Sequence, residues 1–411
     1  MPTGIERVTF PGSGGELLAA RLDLPAGPPK AFALFAHCFT CSKDLRAASR
    51  IAAVLTDLGY GLLRFDFTGL GDSEGEFANT NFSSNVDDLI AAAAWLREHH
   101  RAPQLLVGHS LGGAAVICAA ATLPEVRAVA TVGAPSDAGH VAQLLDGVLD
   151  EIAERGEVDV ELHGRCFTIR RQFIDDLRAG AVTEAAAALR GSLLVMHSPV
   201  DNIVGVEHAA RIFGAARHPK SFVSLDHADH LLSNVADAEY AASVIGAWAA
   251  RYLIDESGVT AAPRASAQVV VAETSQGAFL NHVVVGRHRF LTDEPESVGG
   301  YDAGPSPYDF LATALGACTS MTLRMYAERK QLPVDKVTVE VSHDKVHATD
   351  AATGTADGSV PKGGKIDQFT RVLHLSGDLD DEQRASLLRI ADRCPVHRTL
   401  EQTSHIVTQL A

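Results

Sequence analysis

The sequence predicts two domains, a doubly wound and mostly parallel α/β sheet followed by a smaller α+β domain. The chain has 411 residues, which is more than one hydrophobic core usually fills. Residues 1–255 alternate short apolar runs with helix-like segments, as a parallel sheet covered on both faces requires. Residues 267–411 group their strands and helices instead, and the polar, Pro-containing segment 256–266 between them is typical of a linker.

The first domain has the strand–helix alternation of a sheet with right-handed crossovers. Near-continuous apolar runs predict buried strands at 31–37, 61–67, 104–110, 126–134, 192–198 and 220–226. Helical patterns at 44–59 and 83–100 predict helices between them. The segment 136–191 is longer than an ordinary crossover and carries its own helical pieces, so we interpret it as a lid insertion over the sheet.

The second domain has a different order of elements. Its patterns predict β-rich stretches at 269–292, a long apolar helix at about 307–329, strands at 334–347 and 369–376, short helices at 380–392 and 395–401, and a last strand at 404–410. The Gly-rich segment 353–365 is typical of a loop between two strands.

Composition excludes several classes of function. The net charge of −16 argues against a nucleic-acid partner, because phosphate binding needs clustered Lys and Arg. The N-terminal residues lack the pattern of a signal peptide, and no run of eighteen apolar residues predicts a membrane span. Six cysteines in a chain this long are not a disulfide framework. We therefore expect a cytoplasmic protein with reduced thiols and no membrane partner.

A G-x-S-x-G pattern surrounds Ser110, in the sequence VGHSLGG between an apolar run and a helix-like segment. This context is typical of a nucleophile elbow, in which glycines allow a tight turn that lifts the serine hydroxyl above the sheet. A serine nucleophile needs a base and an orienting acid, and chain order places the acid and then the histidine after later strands. Asp201 follows one later apolar run, and His227 and His230 both follow the last one.

Residues 1–255 resemble an α/β-hydrolase of the serine-esterase type, close to the feruloyl and cinnamoyl esterase-like group. The resemblance rests on HCFTCSKD (37–44), FDFTGLGDSEGEF (65–77), GHSLGG (108–113) and ADHLLS (228–233). It implies hydrolysis of a small-molecule carboxylic ester by a triad of Ser110, Asp201 and His230, without a cofactor. His227 is then a neighbour, and it stays open as the alternative base.

The C-x-x-C of HCFTCSKD, formed by Cys38 and Cys41, lies where those esterases place the oxyanion loop. By that resemblance, the backbone N–H groups of Phe39 and Leu111 hold the tetrahedral oxyanion. A zinc site would need more ligands, and the sequence has no second C-x-x-C. A redox role for the cysteine pair stays open as the alternative.

Two cysteines of the second domain are candidates for thiol chemistry. Cys394 precedes Pro395, which suits the first position of a helix, so Cys394 is a candidate N-cap. A thiolate at a helix N-terminus is stabilised by exposed N–H groups and the helix dipole. Cys318 lies within the long helix, where a cysteine is commonly a small buried apolar residue. Cys118 and Cys166 have no such setting.

Residues 267–411 resemble the OsmC/Ohr family of thiol-dependent peroxidases, through SPYDFLATALGACTSMT and CPVHRTL. The resemblance implies that Cys318 attacks an organic hydroperoxide and Cys394 then forms a disulfide with it, which a thiol reductant reopens. It also implies an activating arginine, either Arg287 or Arg289. Tyr308 stands where the family has a glutamate.

The same family forms intertwined homodimers, so we expect a homodimer through the C-terminal domain. A fusion of a hydrolase to an OsmC-like domain is a known arrangement, which this chain resembles. Two hypotheses for the C-terminal domain stay open. It either reduces organic hydroperoxides, which makes the protein bifunctional, or it serves only as a dimerisation scaffold.

Overall fold

The computed structural model describes residues 4–38, 42–139, 148–162, 165–179, 182–259, 263, 267–347 and 365–410. Phe39 and Cys41 lie outside the described residues. The chain divides into two compact units. The first is Met1–Ala261 with Thr274–Gly277, and the second is Ala262–Glu273 with Ala278–Ala411. No helix in the described ranges is long and apolar enough to cross a membrane.

An eight-stranded sheet forms the centre of the first unit, in the order β1-β2-β4-β3-β5-β6-β9-β10. Its strands are β1 (Gly4–Pro11), β2 (Leu17–Leu24), β3 (Ala31–Ala36), β4 (Tyr60–Phe65), β5 (Pro103–His109), β6 (Ala128–Val132), β9 (Ser192–His197) and β10 (Lys220–Ser224). β2 pairs antiparallel with β1 and β4, and all other neighbours are parallel. The predicted doubly wound, mostly parallel sheet is confirmed, with β1 and β2 as an unpredicted antiparallel edge.

Helices cover both faces of this sheet. They are α1 (Arg46–Asp57), α2 (Phe82–His99), α3 (Leu111–Ala120), α6 (Val182–Ala188), α7 (Val206–Ala215) and α8 (Val235–Ala249). α1 and α8 share one hydrophobic cluster with Phe35, whereas α2, α3, α6 and α7 share another with Leu34. Adjacent residues of β3 thus enter opposite cores, which explains why the strand is apolar throughout.

The predicted insertion contains a β-hairpin as well as helices. Its elements are α4 (Leu149–Arg155), β7 (Glu157–Leu162), β8 (Arg165–Arg170) and α5 (Arg171–Ala179), and α6 ends it. Phe167 and Phe173 pack against Phe77 of a short 3₁₀ helix, with ring centroids 5.1 and 5.9 Å apart. The hairpin was not predicted, because its strands alternate polar and apolar residues and lack a continuous apolar run.

The second unit is α+β, as predicted. Its elements are β11 (Val269–Glu273), β12 (Asn281–Val285), β13 (His288–Thr292), α9 (Pro307–Lys330), β14 (Lys336–His347), β15 (Lys365–Ser376), α10 (Asp381–Ala391) and α11 (Pro395–Glu401). The first three strands form one antiparallel sheet, and β14 and β15 form another. α9 begins with a capping box between Ser306 and Asp309, and its Leu323 packs with Leu387 of α10.

The prediction of a last strand at 404–410 is wrong. Its residues are exposed and belong to no strand, although Ile406 and Val407 have high β propensity. Propensity alone does not make a strand, because the backbone N–H and C=O groups need a neighbouring ladder. The described part of the chain supplies none for this segment.

The first turn of α3 approaches the end of β3 closely, and this predicts an intolerance to side chains at Gly112. A Cβ there would lie 2.4 Å from the carbonyl oxygen of His37 and 2.5 Å from that of Ala36. We expect Gly112→Ala to lower the free energy of unfolding by about 1–3 kcal/mol. Gly214→Ala is the matched control, because nothing lies within 4 Å of its added Cβ in α7. Urea unfolding, monitored by tryptophan fluorescence, measures the stability of both variants. Equal free energies of unfolding for Gly112→Ala and Gly214→Ala would contradict the steric argument.

Candidate active site

Ser110 occupies a strained turn between β5 and α3. Its φ of 55° and ψ of −127° lie in a region that residues other than glycine rarely adopt. Gly108 permits the tight turn, since a Cβ on it would lie 2.3 Å from the carbonyl oxygen of Gly112. The Ser110 side chain is half-buried, so its hydroxyl is held at the carboxyl edge of the sheet within reach of a substrate.

The structure brings Ser110, His230 and Asp201 together. His230 Nε2 lies 2.9 Å from Ser110 Oγ, and His230 Nδ1 lies 2.7 Å from Asp201 Oδ2. An Nδ1–H that donates to the carboxylate leaves Nε2 free to accept the serine proton. The alternative base, His227, is exposed on the same loop after β10, whereas His230 is buried.

Asp201 is anchored by the turn that follows β9. Its Oδ1 accepts the backbone N–H groups of Ile203 and Val204, both at 2.9 Å, and its side chain is 2% exposed. Burial opposes ionisation of this carboxyl, but the hydrogen bonds from His230 and the two N–H groups outweigh it and hold its pKa below the usual range. Asp201 is therefore a carboxylate at neutral pH.

Two buried histidines that sequence reasoning missed support this arrangement. His109 Nε2 lies 2.6 Å from the carbonyl oxygen of His230, and His197 Nε2 lies 2.7 Å from that of Val204. Burial lowers the pKa of His109 to about 4, so its ring is neutral and donates through Nε2. The signal in the sequence is that each histidine ends a predicted buried strand, where an imidazole must find a backbone partner.

A buried carboxylate joins the two loops that carry HCFTCSKD and FDFTGLGDSEGEF. Asp66 accepts the backbone N–H of Lys43 at 2.6 Å, the Lys43 Nζ at 2.7 Å and the backbone N–H of Asp72 at 2.9 Å. Burial opposes the charge of Lys43, but hydrogen bonds to Asp66 and Asp72 raise its pKa above the ordinary value. The ion pair therefore fixes the described end of the predicted oxyanion loop.

The predicted oxyanion donors are only partly described. Leu111 is the first residue of α3, and its N–H has no carbonyl to bind within the helix. Phe39 lies outside the described residues, so its role stays a prediction. The expectation of reduced thiols is wrong at Cys38, which is disulfide-bonded. Free thiols are found at Cys118, Cys166, Cys318 and Cys394.

The second unit contains a cluster around Cys394, which is the N-cap of α11. Its Sγ accepts the backbone N–H of His397 at 3.3 Å and lies 3.6 Å from Thr319 Oγ1. Burial opposes the thiolate, but hydrogen bonds from His397, Thr319 and Cys318 and the charge of Arg371 outweigh it and lower the pKa of Cys394. Cys318, beside Thr319 on α9, is half-buried.

Arg371 of β15 is the arginine that the structure places at this cluster, and sequence reasoning missed it. The two arginines implied by the family resemblance, Arg287 and Arg289, are exposed at the turn before β13 and on β13 itself, and their role stays a prediction. Tyr308 stacks on His343, with ring centroids 4.2 Å apart and planes 7° apart. Asp309 next to it accepts from Ser306 in the α9 capping box.

A mostly parallel sheet with a strained serine at a strand–helix turn is the architecture of the α/β-hydrolase class. The family model "alpha/beta hydrolase fold" matches residues 34–231, and the model "OsmC-like protein" matches residues 300–409. The chain belongs to the α/β-hydrolase family and continues into a C-terminal OsmC-like domain.

Several known proteins are similar to this chain. The esterase domain of a Rhodothermus marinus protein is 51% identical, with a TM-score of 0.51, over 61% of this chain and 99% of that one. The mitochondrial palmitoyl-protein thioesterase ABHD10 of Rattus norvegicus is 24% identical over 50% of this chain and 70% of its own length. The mouse ABHD10 structure, 21% identical with a TM-score of 0.52, covers 60% of this chain and 99% of its own and shares the fold. The N-terminal domain is therefore an esterase-like hydrolase domain.

The neutral state of His109 predicts a loss of stability in acid. Because the folded-state pKa is about 4, against an ordinary value of 6.5, the unfolded chain binds this proton more strongly. Stability then falls as the pH drops from 6.5 towards 4, and His109 accounts for about 2 kcal/mol between pH 7 and pH 5. His109→Gln keeps a donor at the same number of bonds from Cα and removes the titration. Between pH 7 and pH 5, the free energy of unfolding of His109→Gln should therefore fall by about 2 kcal/mol less than that of the wild type.

Urea unfolding at the two pH values, followed by the fluorescence of the two tryptophans, measures this difference, since both tryptophans lie in the first unit. His109→Phe is the control, because it removes both the titration and the hydrogen bond to His230. It should share the reduced pH dependence and lose stability at pH 7. An equal acid-induced loss in wild type and His109→Gln would contradict the assignment.

Proposed function

We propose that the N-terminal domain hydrolyses carboxylic esters through Ser110, His230 and Asp201. The observation that carries the proposal is the continuous hydrogen-bonded series from the Asp201 carboxylate through the His230 imidazole to the Ser110 hydroxyl, at 2.7 and 2.9 Å. A nucleophile, its base and an orienting acid within hydrogen-bond distance are the parts that acyl transfer requires.

In the proposed reaction, Ser110 Oγ attacks the acyl carbon while His230 Nε2 takes the serine proton. Asp201 holds the tautomer of His230 and stabilises the imidazolium that forms. The N–H of Leu111, at the N-terminus of α3, and that of Phe39 hold the oxyanion. His230 then returns the proton to the leaving group, and water releases the acid in a second attack activated by the same imidazole.

The class of acyl substrate is the finer part of the proposal. One similar structure is titled an esterase domain, and curated relatives are named palmitoyl-protein thioesterase. Oxygen esters and thioesters pass through the same acyl-serine intermediate and differ in the leaving group. We favour oxygen esters, as the resemblance to feruloyl esterases implies, and a panel must contain both.

The C-terminal domain has two candidate functions. The thiol cluster of Cys318, Cys394 and Arg371 supports reduction of organic hydroperoxides with an external thiol as reductant. The exposed side chains of Met321 and Met325, 66% and 70% accessible on α9, support a homodimer through this domain. The two are compatible, and the scaffold alone is the alternative if the thiols are inert.

The hydrolase proposal predicts that Ser110→Ala lowers kcat for p-nitrophenyl acetate by roughly 10⁴-fold or more, because the three residues act as a unit. His230→Ala should be nearly as damaging. His227→Ala is the matched control on the same loop and should leave kcat within a few-fold of the wild type. With each substrate of a panel of esters and acyl thioesters that the wild type cleaves, the three variants should rank in the same order. Reversed histidine effects would overturn the assignment of the base, and an active Ser110→Ala would overturn the reaction.

For the C-terminal domain, the full chain should scatter light as a homodimer and consume cumene hydroperoxide in the presence of dithiothreitol. Cys318→Ser should abolish peroxide consumption and leave the dimer and the esterase activity intact. Met321→Lys with Met325→Lys should weaken the dimer, whereas Tyr240→Lys, at an exposed position of α8, should not. If the protein is a dimer but peroxide consumption does not depend on Cys318, only the scaffold hypothesis survives. If the protein is a monomer, the scaffold hypothesis is wrong.

A further inference from the structure

We propose that Arg371 is the positioning residue of the thiol pair, which places the Cys394 sulfur beside Cys318 and favours its thiolate form for closure of the disulfide. The inference rests on the proposed thiol site of the C-terminal domain and names a residue that the family resemblance did not supply. Its support is the way one guanidinium on β15 joins three helices at the buried sulfur.

The guanidinium of Arg371 uses both of its terminal nitrogens at the cluster. Nη1 donates to Thr319 Oγ1 at 2.8 Å and to the Ala391 carbonyl oxygen at 3.0 Å. Nη2 donates to Asp392 Oδ1 at 2.9 Å and to His397 Nδ1 at 3.0 Å. These partners lie on α9, at the C-terminal end of α10 and on α11. Arg371 therefore fixes the three helix segments that surround the Cys394 sulfur.

Thr319 connects the guanidinium to the thiol. Its Oγ1 accepts from Arg371 and has one proton to donate, with the Leu315 carbonyl oxygen at 2.7 Å and Cys394 Sγ at 3.6 Å as the acceptors. A neutral thiol is a weak acceptor, so the Thr319 hydroxyl then donates its hydrogen bond to the Leu315 carbonyl oxygen. A thiolate is a strong one, and rotation of the hydroxyl then gives the sulfur a second donor beside the His397 N–H.

The charges around Cys394 favour its anion. Arg371 brings a permanent positive charge from β15, and Asp392 opposes it from the end of α10 with a side chain that is 62% exposed. His397 of α11 accepts from Arg371 through Nδ1, so its proton lies on Nε2, which faces Glu401 at 3.0 Å. From α9 the sulfur meets the Cys318 thiol and the Thr319 hydroxyl, neither of which is charged when protonated.

The two thiols have different access. Cys394 is fully buried, whereas Cys318 is half-buried. A hydroperoxide therefore reaches Cys318, which becomes a sulfenic acid as the O–O bond breaks and the alcohol leaves. The Cys394 thiolate then attacks the Cys318 sulfur. The S–S bond forms, the S–O bond breaks and hydroxide leaves, taking up a proton to become water. Two electrons have passed from the thiol pair to the peroxide.

The experiment uses the full chain with Cys118→Ser and Cys166→Ser, so that the other two free thiols do not contribute. Ellman's reagent (DTNB) should react first at Cys318, and Cys394 should then displace the second thionitrobenzoate as the disulfide closes. The rate of the second release against pH reports the ionisation of Cys394. Cys394→Ser should lose that phase. This assay uses no peroxide. A protein that does not consume peroxide can therefore still show the second release, so a failure of the proposed peroxidase activity is distinguishable from a failure of this proposal.

We expect Arg371→Gln to move the midpoint of the pH profile up by about one pH unit or more and to slow closure at neutral pH about tenfold. Arg371→Lys should move the midpoint up by less than Arg371→Gln does, because lysine keeps the positive charge but lacks the two terminal nitrogens of the guanidinium. Arg389→Gln is the matched control, since it removes an exposed arginine from α10 and should leave the midpoint unchanged.

Asp392→Asn tests the same charge with the opposite sign and does not depend on Arg371→Gln folding. Removing the opposing carboxylate should move the midpoint down, because the Arg371 charge is then uncompensated. A midpoint that Asp392→Asn leaves unchanged or raises would overturn the proposal. An unchanged midpoint in folded Arg371→Gln, or a wild type with no second phase, would also overturn it.

Discussion

Gly112 lets the first turn of α3 lie against the carbonyl groups that end β3, and the geometry of the sheet edge depends on this close approach. The backbone of α3 could not come so near to Ala36 and His37 with a side chain at that position. The approach brings the helix N-terminus beside Ala36 and His37, where β3 ends. The chain enters this turn through the positive φ of Ser110, which lifts the hydroxyl out of the sheet.

The partner of that hydroxyl is fixed through its main chain as well as its side chain. Asp201 orients the imidazole of His230, while the His109 ring donates a hydrogen bond to the His230 carbonyl oxygen. His109 is the residue directly before Ser110, so the turn that presents the serine also supports the base. A neutral buried imidazole suits this task, because it donates a directed hydrogen bond without the desolvation penalty of a buried charge.

The sequence predicted those parts that follow from local pattern and chain order. The parallel strands were visible because both of their faces are buried. The order in which the strands end indicated Asp201 and a histidine after the last strand, and the resemblance to the esterase motif ADHLLS selected His230 over His227. β1 and β2 were missed because an edge hairpin is half polar. Arg371 was missed because it meets Thr319 and Cys394 only through the pairing of β15 and the packing of α9, which leave no local signal. The false strand at 404–410 shows the reverse error, since β-branched residues without a neighbouring ladder do not form one.

Cys394 serves as the N-cap of α11 with its sulfur, in a position that serine, threonine, aspartate or asparagine usually fills. A thiolate accepts the His397 N–H well, whereas a sulfur engaged in a disulfide accepts it poorly. Oxidation would therefore remove a cap that is commonly worth about 1 kcal/mol to a helix, and α11 has only seven residues. The redox state of the thiols is thus thermodynamically linked to the order of α11, so that a more stable helix makes the disulfide easier to reduce.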